Sequence, residues 1–194
     1  MLDPESSHNS PGVIMLRLIA FVIAFLVAAV LIYASTRPDT FRVERSTHIK
    51  APPAKIYAVM SDFRRFPEWS PYEHRDPAMK RTLGAVTSGP GALYKWTGNS
   101  QVGSGRMEIT AVSPPSSVTI KLDMIKPMEG HNIVEFTLTP DGDSTTVTWA
   151  MHGPSPFISR LIGIFINMDR MIGTDFETGL ATLKTSIESG ETGH

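Results

Sequence analysis

Three hydrophobic patterns follow one another along the chain. From Val13 to Ala34 every position is apolar except Arg17, and no polar face interrupts Leu18 to Tyr33. A run of that length predicts an α-helix able to cross a bilayer core. From Phe41 to His152 the pattern changes to alternation, the period of strands with one buried face. From Pro156 to Glu188 it changes again. Phe157, Leu161, Ile164, Phe165, Met168, Ile172, Phe176, Leu180, Leu183 and Ile187 recur mostly at gaps of three and four. That spacing predicts a single long amphipathic helix, with Arg160, Asp169, Arg170, Glu177 and Lys184 off the stripe. Gly163, Gly173 and Gly179 lie inside it. Each costs about 1 kcal/mol against alanine in a helix interior, so each marks a kink or a close approach.

The alternating region divides at its turn residues. Phe41 to Lys50 is a strand with Phe41, Val43, Arg45, Thr47 and Ile49 on one face. Ala51-Pro52-Pro53 ends it and seeds a short helix over Ala54 to Ser61. Pro67, Pro71 and Pro77 impose a loop carrying Trp69 and Tyr72. Strands follow at Met79–Leu83, Leu93–Thr97, Gly105–Val112, Val118–Ile125, Gly130–Thr139 and Thr145–His152, with Asp141-Gly142 a hairpin turn. Short connections between consecutive strands make an antiparallel meander. The fold class is therefore α+β: a curved antiparallel sheet wrapped around a long C-terminal helix, preceded by one transmembrane helix. The expected organisation is a disordered tail over 1–12, an anchor over 13–35, a linker over 36–40, a folded domain over 41–189 and a tail over 190–194.

An uncleaved single-pass anchor fits the apolar run better than a signal peptide, because Ile32 and Tyr33 occupy the positions where small residues precede cleavage. Orientation is contested by charge. Arg37, Arg42 and Arg45 follow the helix, but Arg42 and Arg45 belong to a strand, where the positive-inside rule weakens. A short leading segment favours export, so the domain is expected on the exported (periplasmic or extracellular) side of the cell membrane.

At 194 residues the chain has room for one ordinary domain beside the anchor. A net charge of -1 gives no electrostatic case for a nucleic-acid partner. Cysteine is absent, which removes disulfides, thiolate metal sites and thiol nucleophiles together. The six histidines show no zinc spacing, and Gly103-Ser104-Gly105 precedes a strand, so neither metal nor dinucleotide cofactor is expected. Ten methionines suit either a soft core or an adaptable apolar ligand surface.

The order of a strand, Ala51-Pro52-Pro53-Ala54-Lys55-Ile56-Tyr57, then Asp62-Phe63-Arg64-Arg65-Phe66-Pro67-Glu68-Trp69-Ser70-Pro71, a meander, and a closing helix with Met168-Asp169-Arg170 resembles the START-like helix-grip superfamily (SRPBCC). Within it, the chain is similar to the polyketide cyclase/dehydrase and lipid-transport branch. The resemblance covers roughly Phe41 to Glu188. It implies a START/Bet v-like fold whose members hold apolar or amphipathic molecules between sheet and helix, some of them catalysing reactions.

Two sets of candidates follow. Trp69, Tyr94, Trp96, Met107, Met124, Phe136, Trp149, Met151, Phe165, Met168 and Phe176 are expected to face inward and line a ligand cavity, with the Trp69 loop gating access. Glu68, Glu73 and His74 around that loop, and Arg45 on the inward face of the first strand, are the candidate acid–base or anion-holding groups; Asp169 and Asp175 border the helix stripe. The preferred reading is a membrane-anchored binding protein for a hydrophobic or amphipathic small molecule or lipid. The alternatives are a cyclase/dehydrase-type enzyme and a membrane-side protein-interaction module.

Overall fold

The computed structural model describes residues 11–190. The alternating region forms a seven-stranded antiparallel sheet: β1 (Thr40–Ile49), β2 (Lys80–Leu83), β3 (Leu93–Thr97), β4 (Ser104–Ser113), β5 (Ser117–Lys126), β6 (Gly130–Asp141) and β7 (Ser144–Pro154), in the order β1-β7-β6-β5-β4-β3-β2. The β6–β7 hairpin closes with Asp141 opposite Ser144, and Gly142 takes φ +59° in the two-residue turn. That is a backbone region glycine enters without strain.

Between β1 and β2 lie α2 (Pro53–Met60), a 3-10 turn (Phe63–Glu68) and α3 (Pro71–Arg75). Pro53 and Pro71 stand in the first turns of their helices, where a missing N–H costs nothing. Asp62 starts the 3-10 turn by accepting a hydrogen bond from the Arg64 backbone N–H at 3.0 Å. Ile56, Val59 and Met60 of α2 and Phe63 and Phe66 of the turn are all buried.

The helix expected over 156–188 is two helices, α4 (Phe157–Ile162) and α5 (Met168–Glu188). Gly163 caps the first. Asn167 starts the second, its side chain accepting from the Arg170 N–H at 2.9 Å. Helix α5 grips the sheet. Its buried positions are Gly173, Asp175, Phe176, Gly179, Leu180, Leu183 and Ile187. Two of its glycines permit close approach, since a Cβ at Gly173 would collide with the Arg45 guanidinium and one at Gly179 with Trp149 and Pro71.

The chain divides into two compact units, α1 (Pro11–Thr36) with Pro156–Ile166, and Thr40–Ser155 with the chain from Asn167 onward. Helix α1 is long and apolar enough to cross a membrane, a property that anchors and signal sequences share. The tails expected at 1–12 and 190–194 fall outside the described residues, apart from Pro11 and Gly12, which open α1, and Gly190.

Candidate functional site

Strand register arranges the inward side chains of the sheet in rows. Arg45, Trp149, Phe136 and Val118 make one row, and Val43, Met151, Val134, Ile120 and Ile109 the next. Beyond them come Phe41, Asn132, Leu122, Met107 and Tyr94, then Met124, Gly105, Trp96 and Arg81.

Burial falls away along these rows. In the first, Trp149 stacks on Phe176 of α5 with ring centroids 4.2 Å apart, and Trp69 meets Trp149 and Phe136 edge-on at 5.5 and 5.8 Å. This end is filled. Trp69 is 1% exposed and is the keystone of the aromatic cluster; the gate expected at this residue is a packed core side chain. A loop that buries an indole so fully gives up its freedom to swing. The indole nitrogens of Trp69 and Trp149 are buried without a hydrogen-bond partner among the described residues.

Row two is still buried, but Phe41, Trp96, Met107, Leu122 and Met124 beyond it are only partly covered. The reason is where α5 begins. Arg45 is its first strong tie to β1, donating to Asp169 at 3.0 Å and to Glu177 at 2.7 Å, and the far end is tied by Lys184 Nζ to the His48 carbonyl at 2.8 Å. Past that tie Phe41, Trp96, Met107, Leu122 and Met124 are less covered by their own unit, whereas Tyr94 is buried against Phe63, Phe66 and Glu73. Glycines keep this floor low: the Asn132 side chain lies over Gly153, and the Trp96 ring over Gly105.

A buried polar group stands at the β2–β3 edge of the floor. Glu73 of α3 accepts from the Tyr94 hydroxyl and from Arg81 Nε, and its side chain is only 4% exposed. Burial, then the bond to Glu73, pushes the Tyr94 phenol above its ordinary range. A second cluster ties α3 to α5: Arg75 donates to Asp175, and burial with the Asp175 carboxylate raises the Tyr72 phenol. An open depression of about 490 Å³ lies beside it, lined by Arg75, Asn167, Arg170, Met171, Thr174 and Asp175. Another, of about 390 Å³, is lined by Thr40, Phe41, Arg42, His152 and Gly153. Both open to solvent, and Phe41 of the second belongs to the partly covered rows.

The candidate acid–base groups do not converge. Arg45 is engaged with α5, Glu68 is paired with Arg65 at 2.7 Å, His74 is exposed, and Glu73 alone reaches the floor. Of the candidate ligand-lining residues, Trp69, Phe136, Trp149 and Phe176 lie in the filled end. Tyr94, Trp96, Met107, Met124 and Met151 lie on or beside the floor. Phe165 and Met168, expected inward, are 77% and 40% exposed, because the helix break turns them off the α5 stripe. Leu122, Phe41, Asn132 and Arg81 join the floor beyond the candidate ligand-lining set. Leu122 was legible as an inward strand position; Arg81 carried no signal beyond its place two residues from Leu83.

Among curated proteins none matches the chain. Solved structures with the same fold include a protein from Thermobifida fusca (18% identity, TM-score 0.56, covering 79% of this chain and 97% of that one). Protein MLL2253 from Mesorhizobium loti is another (19%, TM-score 0.55, 80% and 99%). So is DynU16, a protein of the dynemicin biosynthetic locus (17%, TM-score 0.55, 79% and 49%). The family model for polyketide cyclase / dehydrase and lipid transport matches residues 40–188. On that match, which spans most of the chain, the protein belongs to the polyketide cyclase / dehydrase and lipid transport family.

Proposed function

We propose that this chain is a membrane-anchored binding protein for a hydrophobic or amphipathic small molecule, held on the open rows of the sheet beyond the start of α5. One observation carries the reading: Phe41, Trp96, Met107, Leu122 and Met124 face the concave side yet are left partly uncovered. Apolar surface of that kind is costly to leave in water, at about 25 cal/mol per Å², and a ligand's apolar body recovers it. Glu73, Tyr94 and Arg81 supply a few fixed polar groups at one edge, the usual complement to an apolar lining. Methionines 107 and 124 adapt to ligand shape. Helix α1, long and apolar enough to cross a membrane, supports the anchor.

Native mass spectrometry of the full chain, released from detergent micelles, tests the reading. An extra mass removed by organic extraction, and lost in Leu122→Glu but kept in Thr137→Glu, is the expected result. Unliganded masses throughout, with no displacement of a fluorescent fatty acid by any hydrophobic extract, sink it.

A catalytic reading is favoured by one detail, the burial of the Glu73 carboxylate at the ligand floor. However, both oxygens are engaged, one by Arg81 and one by Tyr94, an arrangement that holds the carboxylate in place. Anchoring is the role this suits. Glu73→Gln is expected to weaken binding without abolishing a turnover; loss of a measurable cyclisation or dehydration with binding intact reverses the assignment.

A further inference from the structure

The segment between β7 and α5 carries apolar side chains that core packing does not explain. In Pro156–Ile166, Phe157, Ile158, Phe165 and Ile166 are exposed, and there is no acidic residue. Within its own compact unit the segment packs on α1 through α4. The described residues of α1 are exposed except Val30 and Ala34, one turn apart near its C-terminal end. Arg160 fixes the join, donating from Nη1 to the carbonyls of Ser35 and Arg37 at 3.4 and 3.1 Å. Carbonyls at the end of a helix lack internal partners, so this cation satisfies them and matches the helix dipole. The Arg160 guanidinium also lies 5.6 Å from the Phe157 ring centre, and Arg37 lies 5.8 Å from that of Tyr33. Paired cations and aromatic rings at one end of an apolar helix are what a water–bilayer boundary selects.

We infer that Pro156–Ile166 is a second membrane contact, an interfacial segment seated at the acyl-chain boundary beside the C-terminal end of α1. The inference rests on α1 being a membrane helix. A six-residue helix is far too short to span, so it lies in the interface plane. The occupant of its free face is lipid rather than protein. Its exposed side chains extend the apolar surface of α1, and its one charged side chain is turned to the carbonyls at the boundary.

The cysteine-free sequence permits a direct test in the full chain reconstituted into phosphatidylcholine vesicles. Single variants Ile158→Cys and Phe165→Cys carry an environment-sensitive fluorophore, with Leu26→Cys in α1 and Thr137→Cys on the sheet as references. Bromine on the acyl chains should quench the probes at 158 and 165 several-fold more than the probe at 137. Probes at 158 and 165 quenched by aqueous iodide like that at 137, while the Leu26 probe is quenched by bromine, overturn the inference and leave the anchor standing. Probes shielded from both quenchers overturn it too, since a protein surface then covers the patch. A Leu26 probe indifferent to brominated lipid removes the anchor and the inference together, a result distinguishable from the other two.

Discussion

The two ends of the concave face are built from the same strands and the same kinds of side chain, yet they do opposite things. At one end α5 lies across the sheet and the space is closed by Trp69, Phe136, Trp149 and Phe176. At the other, past the Arg45 tie, Trp96, Met107, Leu122 and Met124 are only partly covered. The lesson is that side-chain type does not separate core from binding surface; coverage does, and coverage is set by where one helix starts. If that division holds, truncations at the filled end should cost stability and those at the open end should cost ligand.

The largest expected effect is therefore at the stack. Trp149→Ala removes a ring packed between Trp69, Phe136 and Phe176. It should destabilise the domain by about 3–5 kcal/mol, the usual range for a buried aromatic replaced by alanine. Urea unfolding of the full chain in a mild detergent, followed by circular dichroism, measures it. A loss under about 1 kcal/mol would mean that this end is as open as the other.

The glycines of α5 sharpen the same contrast. At Gly179 a Cβ meets the Trp149 ring at 2.8 Å and Pro71 at 3.0 Å, neither of which yields easily. Gly179→Ala should thus cost about 1–3 kcal/mol by overpacking, outweighing the roughly 1 kcal/mol gained in helix propensity. At Gly173 the neighbour is the end of the flexible Arg45 side chain. Gly173→Ala should stay within about 1 kcal/mol of the parent, because Arg45 can shift at the expense of its bonds to Asp169 and Glu177. Equal losses at the two positions would deny that the stack is stiffer than the tie.

A smaller effect belongs to the convex face. There Asp123 accepts from His131 at 2.7 Å and from Arg106 at 2.9 Å. The hydrogen bond from His131 is the largest influence; burial opposes it, and Arg106 and Lys121 add to it. The Asp123 carboxyl is held at about 2. Its folded pKa lies below the ordinary value near 3.9, so the network's contribution is complete above about pH 5 and is lost as pH falls through about 4 to 2. Because the cationic partners are substantially exposed, the contribution should be no more than about 1–2 kcal/mol. Asp123→Asn should flatten that part of the acid limb in a stability–pH profile and leave ligand binding alone. An unchanged limb would remove Asp123 as its cause.

Much of this was legible from the sequence, and the misreadings have physical causes. Alternation placed Tyr94, Trp96, Met107, Leu122, Met124, Phe136 and Trp149 on the correct face, because the period of a strand leaves no other choice once one face is buried. Alternation is blind to coverage, however, so it could not separate Trp149 from Trp96. The single helix over 156–188 was misread because Phe157, Leu161 and Ile164 continue the spacing of Ile172 and Phe176. They keep the period but belong to the compact unit of α1 rather than to that of the sheet, and none of the three is buried. Gly163 and Asn167 were the available signs of a stop and a fresh start. The Glu73–Tyr94–Arg81 cluster joins residues from α3, β3 and β2, and no local spacing announces such a meeting.

The smallest stability effect is the most informative about function. Leu122→Ala and Met124→Ala remove side chains that are already partly in water, so little burial is lost and surrounding atoms can relax into the open space. Each should cost under about 1 kcal/mol, well below the Trp149 value. If the floor holds a ligand, the same substitutions should weaken binding by about tenfold, since the buried apolar contact is then lost only in the complex. Titrating a fluorescent fatty acid into the full chain and its variants, alongside the urea series, gives both numbers. Small stability losses with large binding losses at 122 and 124, and the reverse pattern at Gly179, would fix the boundary between filled and open ends at the Arg45 tie. Stability losses at 122 and 124 as large as at the stack would instead mean that the open rows are core, closed in solution by the chain itself, and the binding reading would have to move elsewhere.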